Sequence, residues 1–456
     1  MVNRRHEEIV KPRASLAAGA AAAIAAGLLL AALACSGGSP YGASFSPVKP
    51  AVQRAGSSSG SVADAYEFLR LMMDKYAKGS ATRLVQSFDG GPLRSFKAAV
   101  TYDDALFIDA LLAQGSPDDV ARSKVVGNAF LYLQTYDKAG DGRLRAAYGP
   151  KPLRDPGDIK VDDNTSDVGN MAWVGQALVQ LYAKTSNTSF LNGALAIANW
   201  LQNNTYDTRG HGGYTGGYTA SGKKIEWKST EHNIDIYAFF TMLAAESGET
   251  EWTTNAAWAE RFVGSMWDSG DGRFYVGTGD DGITPNKSFK PEDVNSWSYL
   301  AFQNPDWAAA PSWDVTNLAV TEGGFSGVSF CSGDRSGVWF EGTAHLADAL
   351  ELRNESGDPS QSQTYVSDIE YAQTNGPNGD GLGIIAASKN GLSDCDVDKY
   401  FASLHVGATA WYILAAGAAN PFAFLRSAPP NKLPYVWHSD QRSWRHATGA
   451  VRSHRR

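Results

Sequence analysis

The sequence predicts an all-α fold in which six helical hairpins close into one ring. Three observations predict it. First, six polar and aromatic stretches open helices at recurring intervals: Thr101-Tyr-Asp-Asp104, Asp167-Val-Gly-Asn-Met-Ala-Trp173, Glu231-His-Asn-Ile-Asp235, Glu292-Asp-Val-Asn-Ser-Trp297, Trp339-Phe-Glu-Gly-Thr-Ala-His345 and Leu404-His-Val-Gly-Ala-Thr-Ala-Trp411. Their starts near 101, 167, 231, 292, 339 and 404 are 66, 64, 61, 47 and 65 residues apart, and an internal repeat of this size dictates architecture. Second, helices come in pairs joined by short polar turns, as in Leu181-Tyr-Ala-Lys-Thr-Ser-Asn-Thr-Ser-Phe190 and Leu243-Ala-Ala-Glu-Ser-Gly-Glu-Thr-Glu-Trp252. Third, long loops rich in Gly, Asp and aromatics separate the pairs, at 137–166, 206–230, 269–291, 321–338 and 375–402.

Taken in order, the expected helices are 61–77, 99–114, 117–135, 167–185, 189–204, 231–247, 252–268, 292–303, 312–320, 339–354, 360–374 and 403–418. A helical hairpin cannot bury its apolar face alone, whereas six in a ring can. The first helix of each repeat is small and apolar beyond its first turn, as in Ala408-Thr-Ala-Trp-Tyr-Ile-Leu-Ala-Ala, which suits a crowded inner ring. Its partner carries more charge, which suits an outer ring. The inner helices then run parallel, and their N-terminal ends share one mouth with the long loops. Asp271-Gly-Arg-Phe-Tyr-Val and Gly323-Gly-Phe-Ser-Gly-Val-Ser-Phe330 alternate like short strands of β-hairpins in those loops.

The 456 residues are 43% apolar and 11% aromatic, with 47 glycines, a globular composition. Four segments are expected: a signal peptide or N-terminal anchor over 1–34, a flexible linker over 35–60, a ring domain over 61–425 and a basic, disordered tail over 426–456. Residues 14–34 are nearly all Ala, Leu, Gly and Ile behind Arg4, Arg5, Lys11 and Arg13. That pattern is an export signal or an uncleaved membrane helix. It ends in Ala32-Leu-Ala-Cys35, which resembles a bacterial lipoprotein cleavage site with Cys35 lipidated; cleavage after Ala34 by the ordinary signal peptidase is the alternative. Either way the domain is expected outside the cytoplasm, in the cell envelope or secreted. There Cys331 and Cys395 form an even pair, and a disulfide between them is expected. The formal charge of −8 splits into +2 for residues 1–34, +6 for 426–456 and −16 for the part between. So acidic a body disfavours nucleic acid as a partner. A monomer is expected.

The repeat count, the placement of the loops and the position of the motifs resemble the six-hairpin glycosidase superfamily, the (α/α)6 toroid, over roughly 61–420. Lys228-Ser-Thr-Glu-His-Asn-Ile-Asp-Ile-Tyr237 and Gly337-Val-Trp-Phe-Glu-Gly-Thr343 look like exported bacterial members of that superfamily. The resemblance implies a carbohydrate-active enzyme, its cleft at the N-terminal ends of the inner helices, and usually inversion at the sugar carbon.

Cleavage of a glycosidic bond needs one protonated and one ionised carboxyl on opposite sides of the bond. The mouth offers Asp103, Asp104, Asp167, Glu231, Asp235, Asp293 and Glu341. Glu231 leads as the acid, because Trp227, His232 and Tyr237 give it an apolar setting that raises a carboxyl pKa; a merely helix-dipole role would lower it. Glu341, between Trp339-Phe340 and the small Gly342-Thr343, leads as the base that activates water. Asp293 and Asp104 are the alternatives, although either could instead be a helix cap. Asp235, one turn below Glu231, either joins the site or serves as a structural acceptor.

Substrate contacts are expected from Asp167, Asn170, Trp173, Trp227, His232, Asn233, Asp235, Trp297, Trp339 and His345, since sugar faces stack on aromatic rings and hydroxyls seek Asn and Asp. Tyr214 and Tyr218 could line the same mouth. His232, His345 and His405 share no ligand spacing on one helix, so no metal is expected, and no cofactor motif is present. Asp137-Lys-Ala-Gly-Asp-Gly142 and Asp280-Asp-Gly282 are ordinary turns more often than calcium loops. A glycoside hydrolase acting on an oligo- or polysaccharide is the leading expectation. A polysaccharide lyase or sugar epimerase on the same toroid would use the histidines as bases, with Lys223, Lys224, Lys228 or Arg335 available for a uronate. A non-catalytic glycan-binding lipoprotein is the third reading.

Overall fold

The computed structural model describes residues 60–396 and 398–425. The signal or anchor, Cys35, nearly all of the linker and the basic tail lie outside the described residues. Among the described residues there are twelve α-helices: α1 (Val62–Asp74), α2 (Thr101–Gln114), α3 (Pro117–Tyr136), α4 (Val168–Thr185), α5 (Thr188–Thr205), α6 (Thr230–Ser247), α7 (Thr250–Ser265), α8 (Asp293–Phe302), α9 (Ala309–Asn317), α10 (Phe340–Arg353), α11 (Asp358–Asn375) and α12 (Val406–Ala416). No helix among them is long and apolar enough to cross a membrane.

The even-numbered helices form the inner ring. Each packs on the next, and α12 closes back on α2. Burial explains their composition: α4 is buried continuously from Val168 to Leu181 and α12 from Val406 to Ala415, as a helix surrounded by other helices must be. The odd-numbered helices pack outside. In five hairpins the outer helix follows its inner partner in sequence; in the sixth, α1 packs on α12, so the two ends of the domain complete one unit. The turns from inner to outer helix are tight. Gly115 and Gly248 end α2 and α6 in the left-handed conformation that glycine adopts without strain, and the Ser116 hydroxyl, ahead of Pro117, accepts from the Asp119 amide to start α3. Short turns at one end, three of them of two residues, leave all the long loops at the other, which places the six inner N-termini at one mouth.

Those N-termini are satisfied in a repeated way. A helix start leaves backbone N–H groups without intrahelical partners. Here the first amide of each inner helix is taken by a loop carbonyl: Thr101 by Ala146, Val168 by Gly216, Thr230 by Val276, Phe340 by Ala386 and Val406 by Ser87, with Glu292, just ahead of α8, taken by Phe330. The residue two places before five of those carbonyls is held by the adjoining inner helix. Val85 donates its amide to Asp104 Oδ1 at 2.8 Å, Tyr214 to Asn233 Oδ1 at 2.9 Å, Phe274 to Asn295 Oδ1 at 2.9 Å, Val328 to Thr343 Oγ1 at 3.0 Å and Ile384 to Thr409 Oγ1 at 2.9 Å. Each loop is thus pinned between two neighbouring helices, and each such bond contributes about 1 kcal/mol.

The expected strands form short antiparallel pairs in these loops: Ala319–Glu322 with Phe325–Val328, and Trp267–Asp268 with Arg273–Phe274. Cys331 and Cys395 are joined by a disulfide with Cα atoms 6.3 Å apart. It staples a second small core of Phe88, Leu93, Phe330, Trp339, Leu392 and Tyr400.

Candidate active site

If the six residues whose amides bond to the loops are counted as position one, every inner helix can be read in the same register. Position four is the loop clamp. Position two carries Tyr102, Gly169, Glu231, Asp293, Glu341 and Gly407; position six, one turn below on the same face, carries Leu106, Trp173, Asp235, Trp297, His345 and Trp411. These two positions face the ring axis. The indoles of Trp173, Trp297 and Trp411, on alternate inner helices, meet there with centroids 5.4, 5.9 and 6.0 Å apart and form a solid layer across the ring. The carboxylates of position two stand on that layer.

Two ionisation states coexist in that group. Burial raises the Glu231 pKa well above the ordinary value, and the charges of Asp293, Asp235, Asp167 and Glu341 raise it further, so Glu231 holds its proton. Glu341 is shifted the other way. Burial opposes its ionisation, but the His345 contact, the positive charges favoured on His405 and His345, and the Tyr102 hydroxyl outweigh burial and lower its pKa. Tyr102 donates to Glu341 Oε1 at 2.6 Å and accepts from Trp411 Nε1 at 2.8 Å. His345 Nε2 lies 3.8 Å from Glu341 Oε1, while His345 Nδ1 lies 3.1 Å from Glu292 Oε2. Burial alone would lower the His345 pKa, but its two carboxylate partners raise it to about 9, so this imidazole is a cation at neutral pH. Burial followed by the Glu292 charge brings Asp293 to about 7.

The network continues into α12. His405 Nδ1 accepts from the Ala408 amide at 3.2 Å, which places the ring proton of the neutral form on Nε2, 3.1 Å from Asp103 Oδ1. Its Nδ1 is also 3.4 Å from Glu341 Oε2. Burial disfavours the cation here too, but Asp103 and Glu341 raise the His405 pKa. Glycine at position two makes this approach feasible, because a Cβ on Gly407 would sit 2.6 Å from Asp103 Oδ1 and 2.9 Å from His405 Cε1. His232 is paired with Asp167 at 3.5 Å, and its pKa is lowered by burial, so it is neutral.

Of the seven carboxylates expected at the mouth, six are buried and Glu231 alone is only partly buried. The mouth is therefore least covered at the start of α6. The α10–α12 side is roofed by the disulfide-stapled core, where Phe88 stacks flat on His405 at 4.2 Å.

Several expectations are corrected by this geometry. Asp104 and Asn233 are position-four clamps: Asp104 holds the Val85 amide, and Asn233 spends its oxygen on Tyr214 N and its amide group on Tyr214 O and Ser229 O. Trp173 and Trp297 belong to the buried layer, and Trp339 is packed against Phe330 and Tyr400. Tyr214 is buried with its hydroxyl on Gln202 and Asn255. Trp227 lies against Gly216, where an added Cβ would come within 2.6 Å of the indole. Lys228 is buried and spends its ammonium on the Arg209 and Gly212 carbonyls.

Among the expected binding groups, Asn170 Oδ1 and His232 Nδ1 have no hydrogen-bond partner within the described residues, and Asp235 has the Trp173 indole beside it. Asp167 caps α4 through the Gly169 and Asn170 amides. Asp103, Tyr102, Glu292 and His405 were underweighted in the sequence. The signal for three of them is their place at or beside position two, in Tyr102-Asp103 and Glu292-Asp293. No group of three or more His, Cys, Asp or Glu side chains among the described residues is arranged to hold a metal ion.

The chain has the (α/α)6 toroid fold. Solved structures that share it include cellobiose 2-epimerase from Bacillus thermoamylovorans B4167 (TM-score 0.57, 10% identity, covering 77% of this chain and 98% of that one). A D-mannose isomerase matches with TM-score 0.55 and 11% identity, over 79% of this chain and 98% of that one. A family 76 glycoside hydrolase from a bovine Bacteroides thetaiotaomicron strain matches with TM-score 0.51 and 14% identity, over 78% and 77%. No protein-family model and no curated protein sequence matches the chain.

Proposed function

We propose that this protein is a glycoside hydrolase in which Glu231 protonates the departing oxygen and Glu341 activates water. The observation that carries this reading is the opposite ionisation of two carboxyls at one position of the repeat. Glu231 is held protonated at the least covered part of the mouth, and Glu341 is held ionised by Tyr102, His345 and His405. Divergent environments of this kind are how one site runs acid and base chemistry at the same pH. The helices α6 and α10 are separated by α8 in the ring, so the two groups approach a bound sugar from different sides. Glu341 Oε1 is occupied by Tyr102, and Oε2, which faces His405 Nδ1 at 3.4 Å without a hydrogen bond, is the oxygen for water. With a water between base and sugar, the product is the inverted anomer.

The test is incubation of the protein with a panel of neutral and acidic glycans, followed by NMR of the released ends. Glu231→Gln and Glu341→Gln should each lower kcat by about 10²-fold or more on any glycan the wild type cleaves. Full activity in both variants would refute the assignment.

One observation favours a second reading. Three histidines are each paired with a carboxylate, His232 with Asp167, His345 with Glu292 and His405 with Asp103. Such pairs suit proton transfer at the carbon beside a sugar carbonyl, as a sugar epimerase requires. Deuterium uptake from heavy water into an unhydrolysed sugar would select that reading over hydrolysis. Export belongs to the same proposal, supported by the apolar run over 14–34 and the Cys331–Cys395 disulfide. Its test is cell fractionation with labelled lipid incorporated at Cys35; a cytoplasmic, unlabelled product would contradict it.

A further inference from the structure

The tryptophan layer is supported from below by the chain that follows the ring. After α12 the backbone turns through Ala418 and crosses the far end of the toroid. Asn420 Nδ2 donates to the Leu300 carbonyl of α8 at 2.8 Å. Gln180 of α4 donates Nε2 to the Ala423 carbonyl at 2.7 Å and accepts from the Leu425 amide at 3.2 Å. One strap therefore ties three alternate inner helices, α12, α8 and α4. At its middle the Phe422 ring lies under the layer, with centroids 5.1 Å from Trp173, 5.5 Å from Trp297 and 6.3 Å from Trp411.

Trp411 links this support to the carboxylates. Its Nε1–H occupies the acceptor side of the Tyr102 hydroxyl at 2.8 Å, which turns the hydroxyl proton toward Glu341 Oε1 at 2.6 Å. Its ring also lies 4.3 Å from the His345 imidazole. We infer that Phe422 is a positioning residue for Glu341: by filling the axis beneath Trp411 it fixes the Tyr102 hydrogen bond and the dry setting of His345. Interiors are close-packed, so deleting this ring leaves a space into which an indole can drop. A shift of half an ångström at Nε1 lengthens a bond that is good only near its present distance.

The importance of Glu341 to catalysis rests on the hydrolase reading, but its positioning can be followed without substrate. Phe422→Ala and Phe422→Leu in the full chain are compared with wild type by NMR titration of the His345 imidazole. The expected result is a midpoint displaced from about 9 by half a unit or more in Phe422→Ala, and returned at least halfway in Phe422→Leu, which refills the axis. On any glycan the wild type cleaves, Phe422→Ala lowers kcat about tenfold with KM unchanged, and its acidic limb moves upward. An unchanged His345 midpoint in both variants overturns the proposal and leaves Phe422 a purely structural plug. If Phe422→Ala does not fold, Phe422→Val, which refills less of the axis than Leu, takes its place, and an unchanged midpoint there contradicts the inference. A displaced midpoint in a protein that cleaves no glycan supports the positioning and removes only the hydrolase reading.

Discussion

Replacing His345 by Gln gives the sharpest stability prediction. The imidazole is fully buried between Glu292 and Glu341, and its pKa rises from the ordinary 6.5 to about 9. A pKa raised in the folded state means that the folded protein binds the proton more tightly than the unfolded chain does. The resulting stability is fully present below pH 6.5 and is lost as pH rises through 9. By linkage this amounts to about 3 kcal/mol at pH 6, about 1.4 kcal/mol at pH 8 and close to zero at pH 10. Urea denaturation of wild type and His345→Gln at those three pH values isolates the contribution. Glu231 and Asp235, whose raised pKa values also make stability fall with rising pH, are present in both proteins and largely cancel in the difference, whereas Asp293 and Glu292 lose the His345 charge that lowers them and so reduce the narrowing. The stability gap between the two proteins is expected to narrow by up to about 3 kcal/mol between pH 6 and pH 10. A gap independent of pH would refute the claim that His345 is a buried cation.

Asn233→Ala removes a loop clamp and is expected to lower stability by about 1–3 kcal/mol, read from urea denaturation, while kcat per folded molecule stays near wild type. Reducing the Cys331–Cys395 bond, which spans 64 residues, is expected to lower stability by up to about 4 kcal/mol on chain-entropy grounds and to loosen the roof over His405; thermal melts with and without reductant measure it. The profile of kcat/KM against pH is expected to be bell-shaped. Its acidic limb falls below the ordinary glutamate value, because the Glu341 pKa is lowered, and its alkaline limb lies well above that value, because the Glu231 pKa is raised. An acidic limb at or above the ordinary glutamate value would contradict the Glu341 assignment, and an alkaline limb close to that value would contradict the Glu231 assignment.

The ring was legible because its signals are periodic. Every inner helix carries small apolar residues beyond a polar first turn, and the tight turns at Gly115 and Gly248 set the hairpins. The place of Glu231, Asp293 and Glu341 at the mouth is legible for the same reason: each opens a helix of the repeat. What could not be read was depth. Trp173, Trp297 and Trp411 occupy the same place in three repeats, and their composition alone does not distinguish a sugar platform at the rim from a layer one turn further in. Asp103 and Asp104 differ by one residue and about 100° around the helix, which sends one to His405 and the other to the Val85 amide. Aligning the six starts would have helped. Position four is Asp, Met, Asn, Asn, Thr and Thr, and hydrogen-bonding groups in five of six repeats point to an architectural task. Position two varies from Gly to Tyr to Glu, as residues with individual tasks do. Phe422 carries no periodic signal, since the strap belongs to no repeat.

The central claim is that Glu231 supplies the proton to the departing oxygen. A glycoside with a dinitrophenyl leaving group needs no such proton, whereas a natural sugar leaving group does. The most direct measurement is the ratio of kcat for Glu231→Gln to wild type on both substrates with the same sugar. The account predicts a loss of about 10²-fold or more on the natural linkage, little loss on the activated one, and disappearance of the alkaline limb in the variant. Equal losses on the two substrates, or an alkaline limb that survives the substitution, would contradict it.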